Sequence, residues 1–267
     1  MVSEENDDFK LVKYSSRKHR KKNQLKLNNK RDFSESDSVE EITKRVNVAV
    51  QKFNDSPFRQ TLLIELKKAL ETLELESIVE IVCYGLGNFS EFNCAKYQLA
   101  ALLAIKAVYS SKVHVYDPLF FENEIECLKS LKLHVIEKNE EGKRLLQNHS
   151  TLVFMPHCSK QLTNNFLHTN WSPLIHNCIL LGNSWSELEC HTTDALLQKT
   201  ALLIYKLKKY TTEIKLKNNF EYPNTFSGTS IHIFTKKKLE IVPCNFWENK
   251  PRLISVDNDP EFITKTE

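Results

Sequence analysis

Two glycines one residue apart, placed directly after a short apolar segment, constrain the fold of this chain more than any other feature. Residues 78–90 read IVEIVCYGLGNFS: a run rich in β-branched side chains ends at Gly85 and Gly87, and a helix-forming stretch follows. This order predicts a strand, a tight turn and a helix, the first unit of a nucleotide-binding sheet. Glycine permits the backbone angles of such a turn and lets a ligand approach the main chain. The match to the fingerprint G-x-G-x-x-G is incomplete, because Ser90 stands where the third glycine belongs.

The pair is informative because glycine is scarce here, with five in 267 residues. A chain of this length forms one large domain or two small ones and buries a sizeable core. The richest apolar stretch, residues 99–108, carries Lys106. It falls short of the roughly 20 residues that cross a bilayer, so the sequence predicts no membrane association.

Cysteine usage points to a reducing compartment. The seven cysteines are scattered and odd in number, without the spacing of a disulfide framework or a zinc site. The N-terminus also lacks the pattern of a signal peptide. We therefore expect a cytoplasmic protein, a nuclear one, or a protein of both compartments.

Positive charge is concentrated near the N-terminus. Residues 10–31 contain ten Lys or Arg and no acid. The rest of the chain therefore contains 27 basic and 34 acidic residues, so its net charge is negative. Residues 1–36 lack hydrophobic periodicity and are predicted to form a disordered basic tail. Within this tail, Arg17–Lys22 resembles a nuclear-import signal or a patch for polyanions, although a solubilising role fits as well. Nucleic-acid binding is expected through this tail alone.

From residue 37 the pattern changes to regular secondary structure. Two amphipathic helices are predicted over about 39–53 and 57–73. Strands then alternate with helices. The predicted strands cover 78–84, 113–117, 133–136, 151–155 and 178–181, and the predicted helices between them cover 90–109, 121–131, 141–146 and 162–168. Such alternation predicts an α/β fold, a three-layer, Rossmann-like, doubly wound and mostly parallel sheet preceded by N-terminal helices.

The C-terminal part is predicted to extend this sheet. A long helix over about 194–210 precedes two apolar segments, 231–234 and 239–242, which flank three lysines. These two segments are predicted to form an antiparallel hairpin. The domain would then cover residues 37–245, and residues 246–267 would form a loosely ordered tail.

Ligands of doubly wound sheets bind outside the carboxyl ends of the strands, near the point where the strand order reverses. A strand order of 3-2-1-4-5 would bring the loops after the first and fourth strands together. The free N–H groups of the following helix would favour a small anionic ligand in this crevice. The candidate ligand-binding residues at the strand ends are Gly85, Gly87, Asn88, Ser90, Asp117, His157 and Asn183.

Asp117 ends the second strand, where dinucleotide and S-adenosylmethionine binders place an acid on the ribose hydroxyls. It lies 30 residues beyond Gly87, against about 20 in the usual fingerprint. The alternative is an Asp-Pro turn that only terminates a strand.

The adjacent pair His157 and Cys158 carries the most reactive side chains near the strand ends. Histidine can carry a proton near neutral pH, and a cysteine beside a cation can become a thiolate. Since no acid close in sequence orients the imidazole, we favour a structural or ligand-contacting His157 over a catalytic one. The spacing of His157, Cys158 and His191 supports no metal geometry. The sequence therefore assigns no catalytic residue, no metal and no cofactor.

The loops at the strand ends together resemble a known family, the sensitivity-to-red-light-reduced (SRR-like) proteins. The segments that carry the resemblance occur in order within about residues 55–242: VCYGLGNF (82–89), YDP (116–118), FMPHC (154–158), NW (170–171), LGNSW (181–185) and FSGTSIH (226–232). The family has no established catalytic residues to transfer to this chain. Its members are linked to circadian clock input in plants, and to heme biosynthesis and clock-gene expression in animals.

Two functions follow from these observations. In the one we favour, the chain is a regulatory protein that acts through partners on a nucleotide-type fold, in circadian clock input, in regulation of heme biosynthesis, or in both. In the other, it is a nucleotide- or S-adenosylmethionine-dependent transferase or oxidoreductase with its cofactor on the glycine turn. The sequence does not identify the partners.

Overall fold

The computed structural model describes residues 37–253, which build a seven-stranded sheet with helices on both faces. The strands are β1 (Glu80–Tyr84), β2 (Lys112–Tyr116), β3 (His134–Val135), β4 (Thr151–Met155), β5 (Cys178–Asn183), β6 (Thr212–Lys215) and β7 (Thr229–Ile233). The α-helices are α1 (Val39–Asn54), α2 (Pro57–Leu73), α3 (Asn93–Tyr109), α4 (Glu122–Ser130), α5 (Lys160–Thr169), α6 (Trp185–Cys190), α7 (Asp194–Thr200), α8 (Leu202–Leu207) and α9 (Lys236–Glu240).

The sheet is mostly parallel, and its strand order is β3-β2-β1-β4-β5-β7-β6. Strand β1 pairs in parallel with β2 on one side and with β4 on the other. The direction of winding therefore reverses between β1 and β4. The predicted Rossmann-like fold class is confirmed, and the first five strands have the order 3-2-1-4-5, which brings the loops after the first and fourth strands together.

Alternating side chains give the central strands of the sheet two buried faces. In β1, Ile81 and Cys83 contact the core under α1 to α4, while Val82 and Tyr84 contact the core under α5 to α8. Since successive side chains of a strand point to opposite faces, this pattern places the sheet between two helical layers. The predicted three layers are thus confirmed.

The N-terminal helices begin where the sequence predicts. Ser38 caps α1 in a capping box with Glu41, and Ser56 caps α2 ahead of Pro57.

Among the described residues, no helix is both long and apolar enough to cross a lipid bilayer.

The predicted helix over 141–146 does not form. Glu141 and Gly142 have φ of 52° and 74°, which a right-handed helix does not accommodate. The side chain of Asn139 accepts the Glu141 N–H at 2.8 Å and fixes a local turn instead. The connection from β3 to β4 is therefore irregular.

The predicted helix over 194–210 is divided in two. Ala201 separates α7 from α8 with φ −151° and ψ 55°. The side-chain oxygen of Asn164, on α5, accepts the Leu203 N–H at 2.9 Å. This contact gives an N–H group at the start of α8 a hydrogen-bond partner. The chain therefore forms two short helices here and not one continuous helix.

The predicted antiparallel hairpin between residues 231–234 and 239–242 does not form. Strand β7 pairs antiparallel with both β5 and β6. Its hairpin partner is therefore β6, over Thr212–Lys215, a short strand at the sheet edge. Residues 239–242 form no strand, because Thr235 caps the helix α9 over Lys236–Glu240.

The predicted basic tail, residues 1–36, lies outside the described residues. The predicted C-terminal tail lies partly within them. Phe246 stacks on Trp171 with ring centroids 4.7 Å apart, and its carbonyl accepts the Trp171 indole N–H at 3.1 Å. The first residues of that segment therefore pack against the domain.

Candidate functional site

The loops after β1 and β4 meet at the point where the sheet reverses its winding. The Cys158 thiol, in the loop after β4, donates a hydrogen bond to the carbonyl of Tyr84 at 3.1 Å. A cavity of about 280 Å³ lies between these loops and the end of β2. Its lining consists of Tyr84, Gly85, Gly87, Tyr116, Asp117, Pro118, Leu119, Asn139, His157, Cys158, Ser159 and Leu162.

The glycine turn lies between β1 and α3, as predicted. Gly85 has φ +70°, and a Cβ at this position would lie 2.3 Å from the Cys158 sulfur. Gly87 has φ +76°, but a Cβ there would meet only the Cβ of Ala95, at 3.8 Å. Both positions thus require glycine for their backbone angles, and Gly85 also requires it for space.

Asp117 joins the glycine turn to the end of β2. Its two carboxylate oxygens accept the N–H groups of Gly87 at 2.7 Å and Leu119 at 2.8 Å. Burial raises the pKa of Asp117, and these two hydrogen bonds act in the opposite direction. Asp117 therefore both forms the Asp-Pro turn and lines the cavity, and its contact with a ribose stays a prediction.

Asn88 and Ser90 do not line the cavity. Both bind Glu124, a fully buried residue of α4. The Glu124 carboxylate accepts from the Ser90 N–H at 2.7 Å, the Ser90 hydroxyl at 2.8 Å, and the Asn88 side chain at 3.1 Å. It also accepts the Phe121 N–H at 3.0 Å. Because α3 begins at Asn93, Ser90 lies in the turn ahead of that helix.

Glu124 was not identified from the sequence. It is the third residue of α4 and binds the N–H group at the helix start. That position is one where glutamate commonly caps a helix. The spacing carried this signal, but only the tertiary structure shows that the same carboxylate also binds the glycine turn.

His157 and Asn183 act together at the rim. His157 has φ +58° and is exposed. The backbone N–H of His157 donates to the side-chain oxygen of Asn183 at 2.8 Å. The side-chain NH₂ of Asn183 donates to the Cys158 carbonyl at 2.8 Å. The His157 ring nitrogen Nε2 lies 3.1 Å from the carbonyl oxygen of Ser227. Asn183 therefore supports the loop after β4 from outside the cavity.

The reactive pair is held in structural contacts. Since Nε2 of His157 faces a carbonyl, that nitrogen carries a proton. The Cys158 thiol also faces a carbonyl, which stabilises the thiol rather than the thiolate.

Across residues 37–253, no three His, Cys, Asp or Glu side chains group so that they could hold a metal ion. All seven cysteines lie in this part of the chain, and none forms a disulfide.

A second polar cluster lies behind Asn183. The ring of His232 is fully buried, stacks on Trp185 with ring centroids 4.3 Å apart, and donates from Nε2 to the Asn183 carbonyl at 3.0 Å. Burial lowers the pKa of His232 to about 4, although Glu213 nearby acts against this shift. Burial alone would raise the pKa of Glu213, but a hydrogen bond from Ser184 and the proximity of His232 lower it.

Glu213 was also missed, because the strand that carries it was not predicted. Its carboxylate accepts from the Ser184 hydroxyl at 2.6 Å and from the Ser186 N–H at 2.9 Å. It thereby binds the N-terminal turn of α6. His232 was also missed, because an alternating pattern of apolar and polar residues predicts a solvent-facing side chain there, whereas every residue of β7 is buried.

The outer wall of the cavity ends in a charged network. The Tyr84 hydroxyl donates to Glu140, which Arg144 binds through Nε and a terminal nitrogen, each at 3.0 Å. Burial raises the pKa of Tyr84, as does its hydrogen bond to Glu140. The phenol thus stays neutral and fixed in the wall.

Comparison with known proteins gives a family match over most of the chain. The profile of the SRR1 domain matches residues 51–233. An SRR1-like protein of Mus musculus is 41% identical over 135 residues, which span 49% of this chain and 54% of the mouse protein. The Protein SENSITIVITY TO RED LIGHT REDUCED 1 of Arabidopsis thaliana is 25% identical over 206 residues, covering 73% of this chain and 74% of the plant protein. An SRR1-like protein of Drosophila melanogaster is 26% identical and covers 100% of this chain and 96% of its own length.

Two solved structures are more distant. A crystal structure of a mutant of MtNAS aligns with 72% of this chain and 70% of its own, at 14% identity and a TM-score of 0.39. The plantazolicin methyltransferase BpumL aligns with 73% of this chain and 96% of its own, at 14% identity and a TM-score of 0.30.

Proposed function

The chain belongs to the SRR1 domain family, and on that basis we propose that it is a regulatory protein that acts through protein partners. The processes in which we place it are circadian clock input, regulation of heme biosynthesis, or both. The name of the Arabidopsis relative refers to red-light sensitivity, which fits a role in light input. Because the match spans 54% of the mouse relative, this role is proposed for the matched domain.

One observation carries the regulatory proposal: the groups that would perform chemistry at the strand ends are used to hold the loops together. The Gly87 N–H binds Asp117, the Cys158 thiol binds the Tyr84 carbonyl, and His157 binds Asn183 and Ser227. A catalytic constellation needs a base within hydrogen-bond reach of its nucleophile or substrate proton. The arrangement here favours a binding cavity over a reacting one.

A rescue experiment tests this function. In animal cells that lack their own copy, we expect the full chain to restore heme content and clock-gene rhythm. His157→Asn and Cys158→Ala should restore them to the same extent, because neither side chain is assigned a chemical role. Asparagine tolerates positive φ, so the first variant keeps the loop conformation. The exposed-site variant His191→Ala serves as the matched control.

The alternative function is a nucleotide- or S-adenosylmethionine-dependent transferase or oxidoreductase. The observation in its favour is the position of Asp117 at the end of β2, 2.7 Å from the Gly87 N–H, where such enzymes hold a ribose. If both His157→Asn and Cys158→Ala abolish rescue while the melting temperature stays unchanged, the enzyme is favoured over the regulator.

We also propose a cytoplasmic and nuclear location, with Arg17–Lys22 as the import signal. Replacing these residues with neutral ones should then lower nuclear accumulation of a fluorescent fusion. Accumulation equal to that of the unmodified chain would assign the run to solubility.

A further inference from the structure

The charge of the cavity wall determines which ligands the cavity accepts. Twelve of the residues between 37 and 253 line it, and among these Asp117 is the only acid and none is Lys or Arg. Asp117 accepts two backbone N–H groups, and the carboxylate of Glu124 binds the same turn, so two carboxyl groups lie at the inner end of the cavity. A phosphate placed here would face like charge without a Lys or Arg among the described wall residues to offset it, and such repulsion is strong where water is excluded.

Three main-chain donors in the glycine turn and just after it are also occupied. In nucleotide-binding turns, free N–H groups cradle the phosphates. Here the Gly85 N–H binds the Tyr116 carbonyl at 3.2 Å, and the Gly87 N–H binds Asp117 at 2.7 Å. The Ser90 N–H binds Glu124 at 2.7 Å. Two of these three donors thus bind the protein's own carboxylates and are not free for a pyrophosphate.

Asp117 keeps capacity for a ligand. A carboxylate offers about four lone-pair sites, and the two backbone hydrogen bonds use two of them. Two adjacent hydroxyl groups, such as those of a ribose, are the donors that match the remaining sites.

The size and lining of the cavity limit what the remainder of the ligand, beyond the two hydroxyl groups, can be. Its volume of about 280 Å³ lies at the lower limit of small-molecule sites, which span roughly 300–1,000 Å³. Tyr84, Tyr116, Leu119 and Leu162 supply aromatic and apolar wall, and such surfaces suit the flat face of a base. A dinucleotide exceeds this space, whereas a single nucleoside is a closer match.

We propose that this cavity, taken as the ligand site of the regulatory protein proposed above, binds a phosphate-free ribonucleoside-type ligand through hydrogen bonds from its ribose hydroxyls to Asp117. The ligand has no net negative charge. The anionic ligand predicted from the glycine pattern is the competing case.

Direct binding to the full chain tests this assignment. The probes are the four common ribonucleosides and S-adenosylhomocysteine, compared with 2′-deoxyadenosine, AMP and NAD, in thermal-shift and calorimetric titrations. We expect at least one ribonucleoside probe to bind and raise the melting temperature, as binding to the native state must. The 2′-deoxy analogue and AMP should each bind at least tenfold more weakly than adenosine if adenosine is the probe that binds.

Variants locate the site. Asp117→Asn should weaken the binding probe at least tenfold, and Leu162→Phe, which narrows the cavity from α5, should also weaken it in case the first variant unfolds. Ser90→Ala is the matched control. It removes a hydroxyl from the same turn, but that hydroxyl binds Glu124 outside the cavity, so affinity should stay within twofold.

Three results would overturn the assignment. They are binding of AMP or NAD as tight as that of any nucleoside, failure of all five ribonucleoside probes to bind the folded chain, and unchanged affinity in both cavity variants. Failure here with rescue intact in cells rejects the ligand and leaves the regulatory function standing. Loss of rescue with nucleoside binding intact does the reverse.

Discussion

Gly85 and Cys158 touch across the gap between the loops after β1 and β4, and each limits the size of the other. A Cβ at Gly85 would lie 2.3 Å from the Cys158 sulfur, whereas at Gly87 the nearest atom is 3.8 Å away. The two glycines share a positive φ but differ in available space. Substitutions at the two positions can therefore distinguish the cost of backbone strain from the cost of steric overlap within a single turn.

Gly87→Ala should destabilise the domain by about 1–2 kcal/mol, the usual cost of a non-glycine residue at positive φ. Gly85→Ala should cost about 3 kcal/mol or more, because overpacking adds to the strain. Adding Cys158→Ala should recover the overpacking part at Gly85 and nothing at Gly87. Urea unfolding of the single and double variants measures this coupling. Equal coupling at both glycines would contradict the contact.

The buried His232 makes stability depend on pH. Its pKa of about 4 in the folded protein lies below the ordinary value of about 6.5. The unfolded chain therefore binds a proton that the folded protein does not, between these two values. The stabilisation is complete above about pH 6.5 and is lost as the pH falls toward 4. The lowered pKa of Glu213 acts below the ordinary glutamate range and so outside this window.

Unfolding free energies at pH 7 and pH 5 should differ by roughly 2 kcal/mol more in the natural chain than in His232→Gln. Glutamine does not titrate and can still donate to the Asn183 carbonyl. Burial also lowers the pKa values of His114 and His168. Both histidines are present in the natural chain and in His232→Gln, so their contributions to the pH dependence cancel in the comparison. His191→Gln, at an exposed position, should behave as the natural chain does. An unchanged pH dependence in His232→Gln would show that folding does not lower the pKa of this imidazole.

Single residues of the site were only partly predictable. Gly85, Gly87, Asp117 and His157 do line one cavity, because strand ends of a parallel sheet meet at one edge. Asn88, Ser90 and Asn183 instead hold the loops, and this distinction depends on Glu124 and on the path of the loop after β4. Neither is encoded in local spacing. Whether the four lining residues bind a ligand stays a prediction.

At the scale of elements, side-chain amides decide where regular structure stops. Asn164 accepts the Leu203 N–H at 2.9 Å at the start of α8. The sequence between 194 and 210 has helical periodicity throughout, so periodicity alone predicts one helix. The division at Ala201 arises from a contact with α5, which lies about 40 residues earlier and is invisible to a local pattern.

Replacing Asn164 with alanine should destabilise the domain by about 1–3 kcal/mol, because the buried Leu203 N–H loses its partner. Asn164 is itself buried, so water does not readily take its place. The exposed residue Gln198 of α7 provides the control, and Gln198→Ala should change stability by less than about 0.5 kcal/mol. The measurement is the midpoint of urea unfolding. Equal effects of the two substitutions would mean that the amide contact contributes nothing.

The elements that the sequence predicted well are those with a strong period and a clear stop. Strand β4 and the helices α1 and α2 are examples, since proline or a serine cap marks their boundaries. The elements that it missed are short. Strand β6 has four residues at the sheet edge, and α9 has five residues whose three lysines give no apolar period. Their structure is set by β7 and by the Thr235 cap.

At the scale of the whole molecule, the domain begins with its own N-terminal cap. Ser38 and Glu41 complete the capping box of α1, and Arg45 pairs with Asp37. Deleting residues 1–36 leaves all of these groups in place. We therefore expect the shortened chain to melt within experimental scatter of the full chain, as measured by differential scanning fluorimetry. A drop of several degrees would show that the tail stabilises the domain.

The position of β7 has a consequence for how this protein is made. Strand β7 pairs antiparallel with β5, yet residues 184–228 separate the two along the chain. On the ribosome, β1 to β5 emerge first, and the outer side of β5 then presents backbone groups without a strand partner. Such an open edge pairs readily with other chains. The nascent chain therefore passes through an interval in which chaperones have a defined target, and the arrival of Thr229–Ile233 ends it.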